Sequence, residues 1–296
     1  MAEKKSIPFV KMHGIGNDYI YIDFLNKGTS DLLDESQISE LSKAVSDRHF
    51  GVGSDGLILI LPSHSADFRM RIFNADGSEA KMCGNGIRCV GKYVRDLGFT
   101  DKDIINVETE SGVKQLHLIR NEEETEGVVV DMGSPFFKRG EIPAYGDPDE
   151  LLENFKIRVN ESEFEMTGVG MGNPHGIIYV DKVDSLDLAG IGPQIENATI
   201  WPDRANIEFV EVINRNEIKI RVWERGSGET LACGTGACAS AVASFKKGLT
   251  GSVVKVHLRG GMLLINYDPV ANNVTMTGPA KFIAKGEFFY KKDFDI

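Results

Sequence analysis

Two stretches decide how this chain is built: Asp67 to Gly98, DFRMRIFNADGSEAKMCGNGIRCVGKYVRDLG, and Glu217 to Gly248, EIKIRVWERGSGETLACGTGACASAVASFKKG. They align without a gap at an offset of 150, about half of the 296 residues. Arg71 falls on Arg221, Phe73 on Trp223, Glu79 on Glu229, Cys83 on Cys233, Gly84 on Gly234, Gly86 on Gly236 and Gly98 on Gly248. The simplest source of such a match is an internal duplication, two similar domains related by an approximate two-fold. A weaker echo lies upstream, where Gly16-Asn17 precedes Tyr21-Ile22-Asp23 and Gly172-Asn173 precedes Tyr179-Val180-Asp181, with a spacing that differs by two.

Each repeat reads strand, glycine-rich turn, helix. FRMRIF and IKIRVW carry the alternating apolar, β-branched and aromatic residues of strands. NADGS and ERGSG are turn chemistry. The stretches after the cysteines, NGIRCVGKYVRDLG and TGACASAVASFKKGL, are helical and stop at a glycine soon after Lys or Arg. The second has almost no polar face before Lys246, which predicts burial on most sides. Strand patterns dominate the rest: GLILILP, DIINVETE, VKQLHLIR, GVVVDM, HGIIYVD, ANIEFVEV, VVKVHLRGG, MLLINYD and NVTMTG. SQISELSKAVSDR predicts one surface helix. The fold class expected is α+β: two pseudo-symmetric domains, each a curled, mostly antiparallel β-sheet around a central α-helix. The expected division is residues 1–133 with Cys83 and 134–278 with Cys233, residues 279–296 returning to the first.

The net charge of −11 and scattered Lys and Arg argue against nucleic acid or anionic membrane as partners. No apolar run approaches the roughly 20 residues of a membrane span. MAEKKSIPFV has no apolar signal-peptide core, so a cytoplasmic address is the default expectation. The composition leaves room for a homodimer without requiring one.

The four cysteines, Cys83, Cys89, Cys233 and Cys238, form no CxxC pair and none sits at metal-ligand spacing from a histidine, so no metal is expected. Cys89 and Cys238 occupy different places in the two repeats and read as small buried residues. Cys83 and Cys233 read as chemistry. Each precedes a helix, whose free N–H groups carry partial positive charge, lower a thiol pKa and bind a carboxylate. The glycines that follow can take φ > 0 and let a ligand approach the backbone. Set face to face by the two-fold, the domains would flank a substrate α-carbon with one sulfur on each side. One thiolate would take the α-proton and the opposite thiol return one, while N–H groups stabilise the enediolate charge. Inversion then needs no cofactor.

These residues carry a family resemblance. NADGSEAKMCGNGIR (74–88) resembles the signature of diaminopimelate epimerase, and ERGSGETLACGTGACA (224–239) its second half-site; HGIGNDY near the start and GNPH at 172–175 are similar to the family as well. The family interconverts LL- and meso-2,6-diaminopimelate, a late step in bacterial and plant lysine synthesis, with two cysteines and no cofactor. The resemblance implies that Cys83 and Cys233 are the acid–base pair, Cys233 accepting and Cys83 donating in the LL to meso direction. It implies that Asn17, Asn74, Asn173 and Asn206 contact the ammonium and carboxylate groups and that Glu224 and Arg225 hold the distal end. Gly84-Asn85 and Gly234-Thr235 match the backbone cradles after the cysteines, and His175 a residue near the active site. Asn donates and accepts, Arg225 can hold a carboxylate bidentately and Glu224 can accept from an ammonium, which suits a ligand zwitterionic at both ends. One departure stands out: some members have a glutamine after the aspartate of GVGxD, where this chain has Gly56. Arg48 and Asp55 nearby are open to a structural role.

A proline racemase-like enzyme also uses two opposed cysteines, but tends to carry CGHG first and a shorter acidic-Arg-Ser-Pro lead into the second motif. Asn85 and ERGSGETLA favour diaminopimelate. A redox or binding module toggling a Cys83–Cys233 disulfide is the reading from another class.

Overall fold

In the computed structural model, residues 5–25 and 35–290 are described. They divide into two compact units, one running to Val130 and resuming at Pro279, the other Asp131–Gly278.

The first unit contains β1 (Lys5–Gly14), β2 (Asn17–Asp23), α1 (Glu35–Ser46), β3 (Gly56–Leu61), β4 (Phe68–Asn74), β5 (Glu79–Ala80), α2 (Gly84–Asp96), β6 (Ile104–Thr109), β7 (Gly112–Arg120) and β8 (Thr125–Gly133), in which the division falls. The second contains β9 (Phe155–Val159), β10 (Ser162–Gly170), β11 (Pro174–Tyr179), α3 (Leu188–Glu196), β12 (Asn206–Asn214), β13 (Glu217–Glu224), β14 (Gly228–Glu229), α4 (Gly234–Lys246), β15 (Val253–Leu258), β16 (Gly261–Asp268) and β17 (Asn273–Gly278). β18 (Lys281–Tyr290) pairs antiparallel with β1.

The pairings run β18-β1-β2-β3-β4-β6-β7-β8 in the first unit and β9-β10-β11-β12-β13-β15-β16-β17 in the second, with β5 and β14 as short hairpin returns. Each is mostly antiparallel with two parallel joints. β2 lies parallel to β3 with Tyr19 opposite Gly56, and β11 parallel to β12 with His175 opposite Asn206. β4–β6 and β13–β15 are the second pair of joints. Parallel strands need a crossover, and α1 and α3 lie within the connections that supply the first of them.

The aligned Arg and Glu residues tie each hairpin: Arg71 Nε meets Glu79 Oε1 at 2.6 Å and Arg221 Nε meets Glu229 Oε1 at 2.8 Å. α2 and α4 are enclosed along nearly their whole length. α2 therefore buries two cations: Arg88 donates to Gly84 O, Asn85 Oδ1 and Pro279 O, and Lys92 donates to Asp96 Oδ2 and Thr125 O. Ile38, Leu41 and Val45 of α1 pack on Leu57, Leu59 and Phe73. Gly98 and Gly248, which end the central helices, sit at φ 79° and 71°, where glycine has no Cβ to clash.

α3 is absent from the sequence expectation. LAGIGPQIE holds two glycines and Pro193, a composition that scores poorly as helix. Packing overrides propensity here: Leu188 and Ile195 enter the core, Asp187 caps Gly190 N–H, and Gly192 lies so close to Trp223 that a Cβ would fall 2.5 Å from the ring.

Candidate active site

Cys83 is the N-cap of α2 with extended backbone (φ −136°, ψ 115°), and its sulfur accepts the Gly86 N–H at 3.4 Å. Cys233 is the N-cap of α4 (φ −117°, ψ 111°) and accepts the Gly236 N–H at 3.3 Å. A thiol in this place satisfies one of the orphan donors of a helix start. All four cysteines are unbridged.

The glycines after each cysteine serve a purpose other than the one expected from sequence. They lie within the helices from the first turn rather than in left-handed turns. Gly86 lies close over Ile58, whose Cδ1 would be 2.6 Å from an added Cβ and would have to give way. At Gly236 the same atom would come 2.4 Å from Glu208 Oε1.

Around Cys83, the thiol donates to Asn17 Oδ1 at 3.3 Å. Asn17 Nδ2 donates to Asp55 Oδ2 at 2.8 Å, and Arg48 bridges Asp55 and Asp18, 2.8 Å to each. Arg48 and Asp55 therefore act by holding Asn17. Burial works to raise the Asp18 pKa, but hydrogen bonds and charge from Arg48 and Lys11 win and hold it below the usual carboxylate range. Asn74 ends β4 opposite Gly56 and donates to Ser78 Oγ at 3.0 Å. A side chain at 56 would put its Cβ 2.2 Å from Phe73 O, so this backbone excludes the glutamine found in some relatives. Asn85 is buried and accepts from Arg88 Nη2 at 3.0 Å.

Around Cys233, Thr235 Oγ1 lies 3.5 Å from the sulfur and accepts from Asn173 Nδ2 at 3.4 Å. His175 Nε2 meets Asn173 Oδ1 at 2.9 Å and its Nδ1 meets Glu208 Oε1 at 2.8 Å, with His175 and Glu208 both at 0% exposure. Asn206 is spent within the chain: its Nδ2 donates to Pro174 O and its Oδ1 accepts the Arg225 N–H, both at 3.0 Å. Arg225 Nη1 reaches Asp203 Oδ2 at 3.3 Å. Glu224 accepts from the Thr230 hydroxyl, and burial pushes its carboxyl above the usual range.

The expected lowering of the thiol pKa is reversed at Cys233. Burial raises it well above the ordinary value, Glu224 and then Glu208 add to the rise, and the bonds from Thr235 and the Gly236 N–H oppose without overcoming them. The helix terminus contributes only partial charge, which lost water and two neighbouring carboxyl groups outweigh. Cys89 and Cys238 are fully buried inside the helices, and burial pushes Cys89 up to about 11.

Glu208 was missed by the sequence reading. Its signal was an acid between Ile207 and Phe209 in the run IEFV, and acids are almost never fully buried without a partner. Among the described residues, no group of three His, Cys, Asp or Glu side chains is placed to hold a metal ion, and no helix is long and apolar enough to cross a membrane.

The duplicated sheet-and-helix fold is that of the epimerase and racemase-like structures. A hydroxyproline epimerase from Agrobacterium vitis matches with a TM-score of 0.68 at 13% identity, over 100% of this chain and 94% of that one. A Bacillus anthracis phenazine biosynthesis protein of the PhzF family matches with 0.68 at 18% identity, over 97% and 100%. Sequence narrows the class. The diaminopimelate epimerase family model matches residues 9–138 and 167–283. The diaminopimelate epimerase of Acetivibrio thermocellus is 51% identical over 279 residues, 94% of this chain and 97% of the relative, and that of Methanococcus maripaludis is 49% identical over 94% and 98%. The chain belongs to the diaminopimelate epimerase family.

Proposed function

We infer that this chain interconverts LL- and meso-2,6-diaminopimelate by moving one α-proton between Cys83 and Cys233. The observation that carries the reading is the matched pair of helix-capping thiols, each beside an Asn amide, Asn17 in one unit and Asn173 reached through Thr235 in the other. One thiolate breaks the Cα–H bond and becomes a thiol; the second thiol delivers its proton to the opposite face of the carbanion and becomes a thiolate. Inversion demands one acid on each face. N–H groups at the starts of α2 and α4 are suited to the substrate carboxylate, where the enediolate charge develops.

The raised Cys233 pKa fits the accepting role in the LL to meso direction. An α-proton is very weakly acidic, so a thiolate of high pKa is the better base once formed, at the expense of a smaller ionised fraction. Glu224 and Arg225 are assigned to the distal ammonium and carboxylate. Arg225 must then exchange Asp203 for the ligand. Asn74, Asn206 and the backbone of Gly84-Asn85 and Gly234-Thr235 complete the assignment, as does a cytoplasmic address with the free diamino acid as ligand. A homodimer remains part of the proposal; nucleic acid and membrane do not.

The test is α-proton exchange in D2O under reducing conditions, run across several amino acids. Reduced protein is expected to incorporate deuterium into LL-diaminopimelate in preference to proline, and Cys83→Ala to lose epimerisation by at least about a thousandfold. Full activity in Cys83→Ala, or faster exchange into proline, overturns the reading.

A further inference from the structure

We propose that Glu208 is a positioning residue of the epimerase reaction, a buried acid that locks the Asn173 amide through His175 and, from beneath Gly236, governs how readily Cys233 gives up its proton. The proposal rests on the epimerase reading above and assigns the two thiols unequal chemistry.

The two repeats place different residues beneath matching helix starts. Tyr19 lies opposite Gly56 across the parallel joint of β2 and β3, and His175 opposite Asn206 across that of β11 and β12. Two residues further along, Ile58 and Glu208 occupy the same place at the same offset of 150. Each lies directly under the second glycine of its helix: 2.6 Å separates Ile58 Cδ1 from a Cβ built on Gly86, and 2.4 Å separates Glu208 Oε1 from one built on Gly236, which is also 3.2 Å from the Cys233 sulfur. Ile58 shows that hydrocarbon suffices to pack this position, so packing does not explain an acid there.

An acid in this place is costly. Glu208 is fully buried, and its Oε2 has no hydrogen-bond partner. Its Oε1 meets His175 Nδ1 at 2.8 Å, His175 Nε2 meets the Asn173 amide at 2.9 Å, and that amide is thereby held against Thr235 beside the sulfur. Ile58 has no polar atom to begin such a relay in the other repeat, where Tyr19 reaches Asn17 and Cys83 directly and Asp55 holds Asn17.

The groups facing Cys233 are Glu224 from β13, Glu208 from β12 with His175 of β11 behind it, and Thr235 on its own helix. Both carboxylates oppose the thiolate. Glu208→Gln removes one charge while keeping a group of the same shape that can bond His175 Nδ1.

The experiment is site-resolved alkylation with iodoacetamide on the reduced, ligand-free chain across pH, read by peptide mass spectrometry, with the Cys83 peptide as internal reference. In E208Q the Cys233 midpoint is expected to fall by about one pH unit or more while that of Cys83 stays in place. Glu208→Ile, which restores the hydrocarbon of the first repeat but frees His175, is expected to lose kcat/KM on the order of tenfold to a hundredfold, with E208Q recovering much of it at a lower pH optimum. A Cys233 midpoint unmoved in E208Q, or one that moves together with Cys83, overturns the proposal. So do nitrogen resonances of His175 in the unsubstituted chain showing Nδ1 without hydrogen, the form that cannot donate to a Glu208 carboxylate, a measurement that needs no variant to fold. If the midpoint shifts but the unsubstituted chain epimerises nothing, the epimerase reading fails and the relay stands. If the chain is active and E208Q leaves the midpoint alone, the reading stands and the relay fails.

Discussion

Asn17 and Asn173 illustrate how little of a site residue's behaviour lies in the residue itself. Both are asparagines after a glycine, and either could have been an ordinary turn residue. In the fold each amide is fixed by a buried or half-buried acid: Asp55 takes the Nδ2 of Asn17 at 2.8 Å, and Glu208 orients Asn173 through His175. Asp55→Ala should therefore release the Asn17 amide from its place beside Cys83. The expected result is a loss of kcat/KM of about tenfold, with Asp55→Asn, which keeps one acceptor oxygen, recovering part of it. Steady-state kinetics on the two variants, with thermal melts to show that both are folded, checks this. Equal activity in all three proteins would remove Asp55 from the argument. The motif resemblance pointed to Asn17 and Asn173, but Asp55 had been left open to a structural role and Glu208 went unnoticed, because an acid's partner is invisible until the strands are paired.

At the scale of elements, the legible parts are those with strong local signals. The two central helices begin at the cysteines and end at Gly98 and Gly248, as their caps and stops predict. SQISELSKAVSDR forms α1 over Glu35–Ser46, with Arg48 just past its end. β3, β6, β7, β12, β15, β16 and β17 follow runs that alternate or are apolar throughout. α3 was not legible, because Gly190, Gly192 and Pro193 argue locally against helix and only the ring of Trp223 explains why position 192 is glycine. Gly192→Ala raises intrinsic helix propensity by about 1 kcal/mol, yet its Cβ would land 2.5 Å from Trp223. Overpacking should win, with a net destabilisation of about 1–3 kcal/mol. A urea titration should show a lower midpoint at unchanged slope; a raised midpoint would mean that the ring yields.

Across the whole molecule, acid stability follows from carboxylates held below their usual range. Asp18 is held down by Arg48 and Lys11 against the opposing effect of burial, and Asp96 by Lys92 and Thr125 against the same effect. A group whose folded pKa is depressed contributes stability that is fully present above its unfolded value and is lost as pH falls toward the folded value. Stability should therefore hold at neutral pH and fall as pH drops below about 4, near the unfolded aspartate value. Asp18→Asn should be less stable than the natural chain at neutral pH, with the gap narrowing as acid is added. Urea midpoints measured from neutral to acid pH check this, and a gap that widens in acid would contradict it.

The duplication, the two thiols at their helix starts and the membership in a two-cysteine family were all determined by the sequence alone, because each rests on residues close together in the chain and repeated at a fixed offset. Only the tertiary structure decided what lies beneath those thiols. Parallel pairing brings His175 beside Asn206 and sets Glu208 on the same strand under Gly236, while in the first repeat it sets Ile58 under Gly86. Those neighbours are some thirty residues apart in sequence. Their register depends on crossover connections and on which faces the sheets bury, and no local pattern of residues encodes it.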